Sequence, residues 1–146
     1  MKKCHGGGLM LTQHSISLAG ARNAIRVAQQ KAHEKGWHIT VAVVDRAGEL
    51  VALERDDAGI GISPVVAAGK ARTAALLRAP SGDFENFING GQPSFLATPG
   101  VIPLEGGIPL LFENEVIGAV GVSGAHGAND TLVAQAAASA FTKEKE

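Results

Sequence analysis

Two pairs of strand segments, each joined by a tight turn, constrain the fold of this chain more than any other feature. In the first pair, "WHITVAVVD" is rich in β-branched residues and leads through the turn "DRAG" into the alternating segment "ELVALERDD". In the second pair, strands predicted at 108–112 and 116–122 flank a polar turn at 113–115. Strands joined by such short turns are antiparallel. The sequence therefore predicts two β-hairpins.

Two well-marked helices are predicted around the first hairpin. Apolar residues at steps of three and four predict a first helix over about 13–35, with Thr12 or Ser15 as its N-cap. The segment "SPVVAAGKARTAALLR" predicts a second helix, in which Ser63 is the N-cap and Pro64 takes the first helical position. Its many Ala residues leave little side-chain bulk. We therefore expect this helix to pack closely against a sheet or a second subunit.

The remaining segments complete an order of elements that differs from that of nucleotide-binding folds. A short helix is predicted at about 81–89, an irregular loop over "NGGQPSFLATPG", and a final helix from Asp130, capped by Asn129 or by Asp130 itself. Doubly wound nucleotide-binding sheets alternate each strand with a helix, whereas these strands follow one another in pairs. The order predicts an α+β domain.

The glycines of "EVIGAVGVSG" are spaced differently from those of phosphate-binding loops. The dinucleotide fingerprint requires G-x-G-x-x-G between a strand and a helix, and the P-loop ends in Gly-Lys-Ser or Gly-Lys-Thr; neither occurs here. Glycine inside a strand marks a close approach by a ligand or by another backbone. Gly118 and Gly124 share one face of the strand and Gly121 lies on the other. The sequence therefore does not determine whether a ligand or another backbone lies against these glycines.

The composition argues against nucleic-acid and membrane partners and indicates a cellular location. The 13 basic and 14 acidic side chains give a formal net charge of -1, and aromatic residues make up only 4%, so no nucleic-acid partner is expected. No apolar run approaches the ~18 residues of a membrane span. Cys4 is the single cysteine, which excludes an intrachain disulfide and favours a cytoplasmic location. We expect a disordered tail at 1–10, one domain at 11–142 and a charged end at 143–146.

Three blocks of the chain resemble the successive blocks of the GlcG/HbpS family, which includes the C-terminal domain of PduO-type adenosyltransferases. They are "TVAVVDRAGELVALERDDA", "SPVVAAGKARTA" and "GGIPLLFENEVIGAVGVSGAHGANDTLVAQAA", and the likeness extends from about Leu11 to Ala140. It implies a profilin-like α/β/α sandwich around a five-stranded antiparallel sheet, and assembly into homo-oligomers. It also implies an accessory role in glycolate, diol or glycerol utilisation, with haem or a corrinoid as bound cofactor.

Histidines are the first candidates for a haem-binding residue, because haem iron is most often held by an imidazole. His14 lies near the start of the first helix, where similar haem binders place a ligand, and His126 lies in the loop after the second hairpin. We interpret His33 as a surface residue and His38 as a structural one. His14 and His126 therefore remain as alternative metal ligands.

A second candidate site is built from charged residues beside glycines. Lys70 lies in an otherwise uncharged part of its helix and needs a partner, which we expect to be Asp56 or Glu105. The alternative is a pocket in which Lys70 and Arg55 hold a carboxylate or a propionate. The candidate ligand-binding residues are Arg55, Asp56, Lys70, Glu105, Gly106, Gly107, Ser123 and Gly124.

These observations predict a small-molecule-binding accessory protein whose ligand is haem, a corrinoid or a small organic acid. A small enzyme of diol or hydroxyacid metabolism, isomerase-like or lyase-like with Glu105 or Asp56 as base, is the alternative. A third possibility is an oligomer that acts through protein partners without any ligand. A serine hydrolase is not predicted, because "GVSGA" does not match the G-x-S-x-G elbow around Ser123.

Overall fold

Residues 8–145 fold into four α-helices, one short 3-10 helix and one antiparallel sheet. The computed structural model describes residues 8–145, with side chains as far as 142, so most of the tail expected at 1–10 and all of the charged end expected at 143–146 lie outside the described side chains. The elements in chain order are α1 (Leu18–Lys35), β1 (Thr40–Asp45), β2 (Leu50–Arg55), α2 (Ser63–Leu77), α3 (Gly82–Asn89), a 3-10 helix (Pro93–Ala97), β3 (Gly107–Phe112), β4 (Glu115–Ser123) and α4 (Gly127–Lys145).

Both predicted hairpins are confirmed, and they join side by side in one sheet. The strand order is β2-β1-β4-β3, with β1 paired antiparallel to both β2 and β4. The described residues form four strands, so the expectation of a fifth is wrong. The segment between α2 and β3, which contains Pro80, Pro93, Pro99 and Pro103, forms α3 and the 3-10 helix instead of a strand.

The sheet is covered on both faces. Val41 and Val43 of β1 belong to a core cluster with the buried residues of α1 and α4, whereas Ala42 and Val44 belong to a cluster with α2. This alternation follows from the two-residue period of a strand. The α+β class is therefore confirmed, with α1 and α4 on one side of the sheet and α2 on the other.

Helix α1 begins later than the sequence predicts. Its N-cap is Ser17, whose side chain accepts a hydrogen bond from the Gly20 N–H, so neither Thr12 nor Ser15 caps it. The Ile16 N–H donates to the Ile117 carbonyl of β4 at 2.9 Å. That pairing holds the chain before Ser17 in an extended conformation.

The predicted caps of α2 and α4 are also wrong. Ser63 is the first residue of α2, and its buried hydroxyl hydrogen-bonds the Ile60 carbonyl and the Thr40 hydroxyl instead of capping the helix. Helix α4 begins at Gly127, which places Asp130 in its first turn, where the carboxylate accepts from the Ala125 N–H. No helix within the described residues combines the length and hydrophobicity that a bilayer crossing requires.

Glycines in β3 and β4 leave space for the backbone of α2. A Cβ atom on Gly121 would clash with the Ala67 carbonyl oxygen and lie 2.6 Å from the Ala71 nitrogen, both in α2. A Cβ on Gly107, paired with Gly121 in the sheet, would clash with the Lys70 carbonyl. The thin helix α2 therefore packs directly on the bare centre of the sheet.

This packing predicts a large cost for one added methyl group. Gly121→Ala is expected to lower the free energy of unfolding by about 1–3 kcal/mol, because rigid backbone occupies the space that the methyl group needs. Urea unfolding measures the change. Gly61→Ala is the matched control, since nothing lies within 4 Å of its added Cβ, and it should change stability by less than about 1 kcal/mol. Equal effects of the two substitutions would contradict the close approach.

Candidate functional site

A cavity of ≈ 240 Å³ lies where β4 ends and β3 begins, and we name it the Lys70 cavity. Five residues predicted from the sequence as ligand-binding or metal-binding line it: Lys70, Glu105, Ser123, Gly124 and His126. The remaining lining residues are Ile60, Val66, Leu104, Glu85, Gly127 and Asp130. The fold thus brings together residues that lie as far apart in the sequence as Ile60 and Asp130.

Lys70 crosses the end of the sheet from α2 to α4. Its ammonium group donates to the Asp130 carboxylate at 2.8 Å and to the Val122 carbonyl at 3.0 Å, and the side chain is only 4% exposed. The expected partner, Asp56 or Glu105, is therefore wrong. Asp130 is separated from Lys70 by 60 residues, and no local pattern in the sequence connects the two.

Gly106 and Gly107 make room for this ion pair. A Cβ on Gly106 would lie 2.9 Å from Lys70 Nζ and 3.0 Å from the Asp130 Cβ. Gly106 also has a φ of 127°, which favours glycine. Both glycines are buried beside Lys70, and neither lines the cavity. They therefore contact other residues of the protein and not the open space.

Two glutamates supply acceptor oxygens to the cavity. Glu105 accepts from the Thr131 hydroxyl at 2.7 Å through one carboxylate oxygen, and its backbone N–H donates to Glu85 at 2.7 Å. Each carboxylate retains a second oxygen without a described hydrogen bond. Sequence reasoning missed Glu85 and Asp130, because only the folded chain brings α3 and α4 to the end of β3.

Ser123 and His126 form the other polar side of the cavity. Ser123 is 8% exposed, and its hydroxyl has no hydrogen-bond partner among the described residues. His126 is exposed and has a φ of 74°, a conformation that costs energy in a residue other than glycine. Such backbone strain is common at binding sites, and here it turns the chain from β4 into α4.

Arg55 and Asp56 lie apart from the Lys70 cavity. They line a separate depression of ≈ 260 Å³ with Gln29 and His33. His38 Nδ1 lies 2.8 Å from an Asp56 oxygen. That hydrogen bond, reinforced by the Ala58 N–H, lowers the pKa of Asp56. Arg55 therefore does not share a ligand pocket with Lys70.

His14 lies at the opposite end of the sheet. Its Nδ1 is 3.0 Å from a carboxylate oxygen of Glu115, and the Arg46 guanidinium donates to the other oxygen at 2.6 Å. The hydrogen bonds from His14, followed by that from Arg46, lower the pKa of Glu115 from 4.5 to about 2. The ring also meets Phe112 edge-on, with centroids 4.9 Å apart.

His14 and His126 are too far apart to bind one metal ion within a single chain. His14 bonds Glu115 at the first residue of β4, whereas His126 lines the cavity beyond the last residue, Ser123. Eight residues of extended strand separate these positions by roughly 26 Å. No group of three or more His, Cys, Asp or Glu side chains suited to a metal ion occurs in the described part of the chain.

Sequence comparison identifies relatives over most of the chain. The family described as "Haem degrading protein HbpS-like" matches residues 16–139. Protein GlcG of Escherichia coli K12 is 40% identical over 114 residues, which is 78% of this chain and 85% of GlcG.

Structural comparison identifies the same group. A crystal structure of a Streptomyces reticuli HbpS double mutant is 31% identical and covers 96% of this chain and 95% of that chain, with a TM-score of 0.81. The structure of a PduOC–haem complex has the same fold, with a TM-score of 0.78 at 23% identity, covering 86% of this chain and 94% of that chain.

The buried ion pair predicts strongly coupled substitutions. Lys70→Met is expected to lower the free energy of unfolding by about 3–5 kcal/mol, because it leaves the Asp130 carboxylate buried without its counter-charge. The double variant Lys70→Met/Asp130→Asn should lose less than the sum of the two single variants in urea unfolding.

An exposed ion pair, Arg72 with Glu49, provides the comparison for these single and double variants. Glu49→Gln removes the carboxylate that lies 3.8 Å from Arg72 at the surface, and it should change stability by less than about 1 kcal/mol. Additive losses for Lys70 and Asp130 would show that the pair is not coupled.

The low pKa of Glu115 predicts a pH-dependent contribution to stability. Since the pKa is lower in the folded chain, ionised Glu115 stabilises the fold above pH 4.5, and this contribution disappears as the pH falls toward about 2. Urea unfolding of the wild type and Glu115→Gln at pH 6, 4 and 3 tests this. The stability advantage of the wild type should be largest at pH 6 and shrink at each lower pH. A constant difference would refute it.

Proposed function

Because the chain belongs to the HbpS-like family, we propose that it binds haem and that His14 is the residue that holds the iron. One observation carries this proposal: the His14 ring is oriented through Nδ1 by an ionised carboxylate, Glu115. The carboxylate can only accept, so in the neutral ring Nδ1 carries the proton and Nε2 presents its lone pair. Metal-binding histidines are typically held in this way.

The surroundings of His14 suit a flat apolar ligand with acidic groups. Phe112 packs against the imidazole, and four exposed apolar side chains lie close to this pair in the sequence: Leu9, Met10, Leu11 and Leu111. An exposed apolar surface of this kind is typical of a binding site. Arg46 would supply a cation for a propionate beside the iron-binding residue. Bound haem would bring redox-active iron to this surface.

The relatives support the choice of haem as ligand. The family description refers to haem degradation, and a structure with the same fold is a haem complex of PduOC. A corrinoid is the alternative occupant, since a free imidazole nitrogen also binds cobalt. We further propose a homo-oligomer, supported by Leu50 and Leu53, which are exposed on the edge strand β2.

Haemin titration tests the assignment of His14. The wild type should show a saturable Soret shift that His14→Ala abolishes, whereas Glu115→Gln, which keeps the shape but not the charge, should weaken binding about 10-fold or more. His126→Ala is the matched control and should bind like the wild type. Loss of the shift in His126→Ala alone would assign the iron to the other end of the sheet. Saturable binding of a cobalamin but not of haemin would favour the corrinoid.

A further inference from the structure

We propose that the Lys70 cavity is a second binding site, independent of haem, and that it takes a small neutral diol with hydroxyl groups on adjacent carbons. The cavity and His14 lie at opposite ends of the sheet, so one ligand does not obstruct the other. The proposal rests on the hydrogen-bonding groups that the fold leaves open there, on their charge and on the size of the space.

Two buried groups in the cavity retain unused hydrogen-bonding capacity. The Ser123 hydroxyl has no partner among the described residues although the residue is 8% exposed. The Lys70 ammonium has three N–H donors, of which Asp130 and Val122 accept two. Solvent reaches the Ser123 hydroxyl, since among the described residues the only buried side-chain N or O atom without a partner is Gln29 Oε1. A ligand that accepts hydrogen bonds would satisfy both.

The charges of the lining select against an anion and against a cation. One ammonium, that of Lys70, and three carboxylates, those of Glu85, Glu105 and Asp130, line the cavity. A ligand carboxylate would be repelled by the two glutamates, neither of which forms an ion pair with any side chain that the structure describes. A ligand ammonium would leave the third Lys70 N–H without an acceptor.

A hydroxyl group meets both requirements because it accepts and donates. It would accept from Lys70 or Ser123 and donate to the open oxygen of Glu105 or Glu85. Donors and acceptors line the same small cavity, so we expect two hydroxyls on neighbouring carbons to fit better than two that are separated. The carboxylate ligand considered from the sequence required Arg55, which lies in another depression.

The volume and the walls set the size of the ligand. The cavity of ≈ 240 Å³ would hold on the order of eight water molecules, and it is smaller than the ~300–1,000 Å³ typical of drug-sized ligands. Ile60, Val66 and Leu104 provide apolar wall for a short carbon chain. Haem is far too large for this space.

Two isomeric diols test the proposal directly. Saturation-transfer NMR on the full chain should show that butane-2,3-diol binds, and that butane-1,4-diol, with the same composition, binds more weakly. Ser123→Ala and Glu105→Gln should each weaken binding of the 2,3-isomer about 3- to 10-fold, as expected for one hydrogen bond. Ser94→Ala, an exposed serine outside the cavity, should leave it unchanged.

Charged analogues decide the chemical class. Preferential binding of 2-hydroxybutanoate would overturn the neutral class in favour of an anion, and preferential binding of 1-aminobutan-2-ol would overturn it in favour of a cation. Absence of binding, or binding insensitive to Ser123→Ala and Glu105→Gln, would overturn the site itself. Haemin titration of the Ser123→Ala variant should match the wild type, so failure of one site is distinguishable from failure of the other.

Discussion

The ion pair between Lys70 and Asp130 joins two helices that lie on opposite faces of the sheet. Lys70 reaches past the end of β4, where Val122 accepts a second hydrogen bond and Gly106 leaves room for the ammonium. A buried charge without a partner is costly, so the position of α4 depends on that of α2. The same pair closes the inner end of the cavity. The contact that connects the two layers thus also shapes the candidate binding site.

The two ends of the sheet have different chemistry because the hairpin topology separates turns from strand ends. Both hairpin turns lie at one end, where Arg46 and Glu115 meet His14 at the surface. The outer ends of the strands lie at the other, where residues of α2, α3 and α4 line a small, partly open cavity. An exposed, oriented imidazole suits a large ligand bound on the surface. A small cavity lined by both donors and acceptors suits a small one.

Local patterns in the sequence predicted the elements well, and their exact boundaries less well. Both hairpins and the four α-helices are where the periodicity and the turn residues indicate. The predicted N-caps Ser15, Ser63 and Asn129 are wrong, because each side chain bonds elsewhere. The Ser15 hydroxyl accepts from the Arg46 N–H, the Ser63 hydroxyl bonds that of Thr40, and the Asn129 amide donates to the Ala125 carbonyl. The pairing of consecutive strands correctly predicted an antiparallel sheet instead of a doubly wound one, and the resemblance correctly identified the family.

The sequence by itself determined the element types, the antiparallel pairing within each hairpin and the family, since these depend on residues close together in the chain or on motifs readable in order. Tertiary structure decided the number of strands, the partner of Lys70, the separation of Arg55 from the cavity and that of His14 from His126. Those features depend on which distant segments share the end of a sheet. Similarly, only the packed structure showed that Gly107 and Gly121 lie against the backbone of α2. A glycine in a strand indicates a close contact, but it does not indicate whether a ligand or another backbone makes that contact.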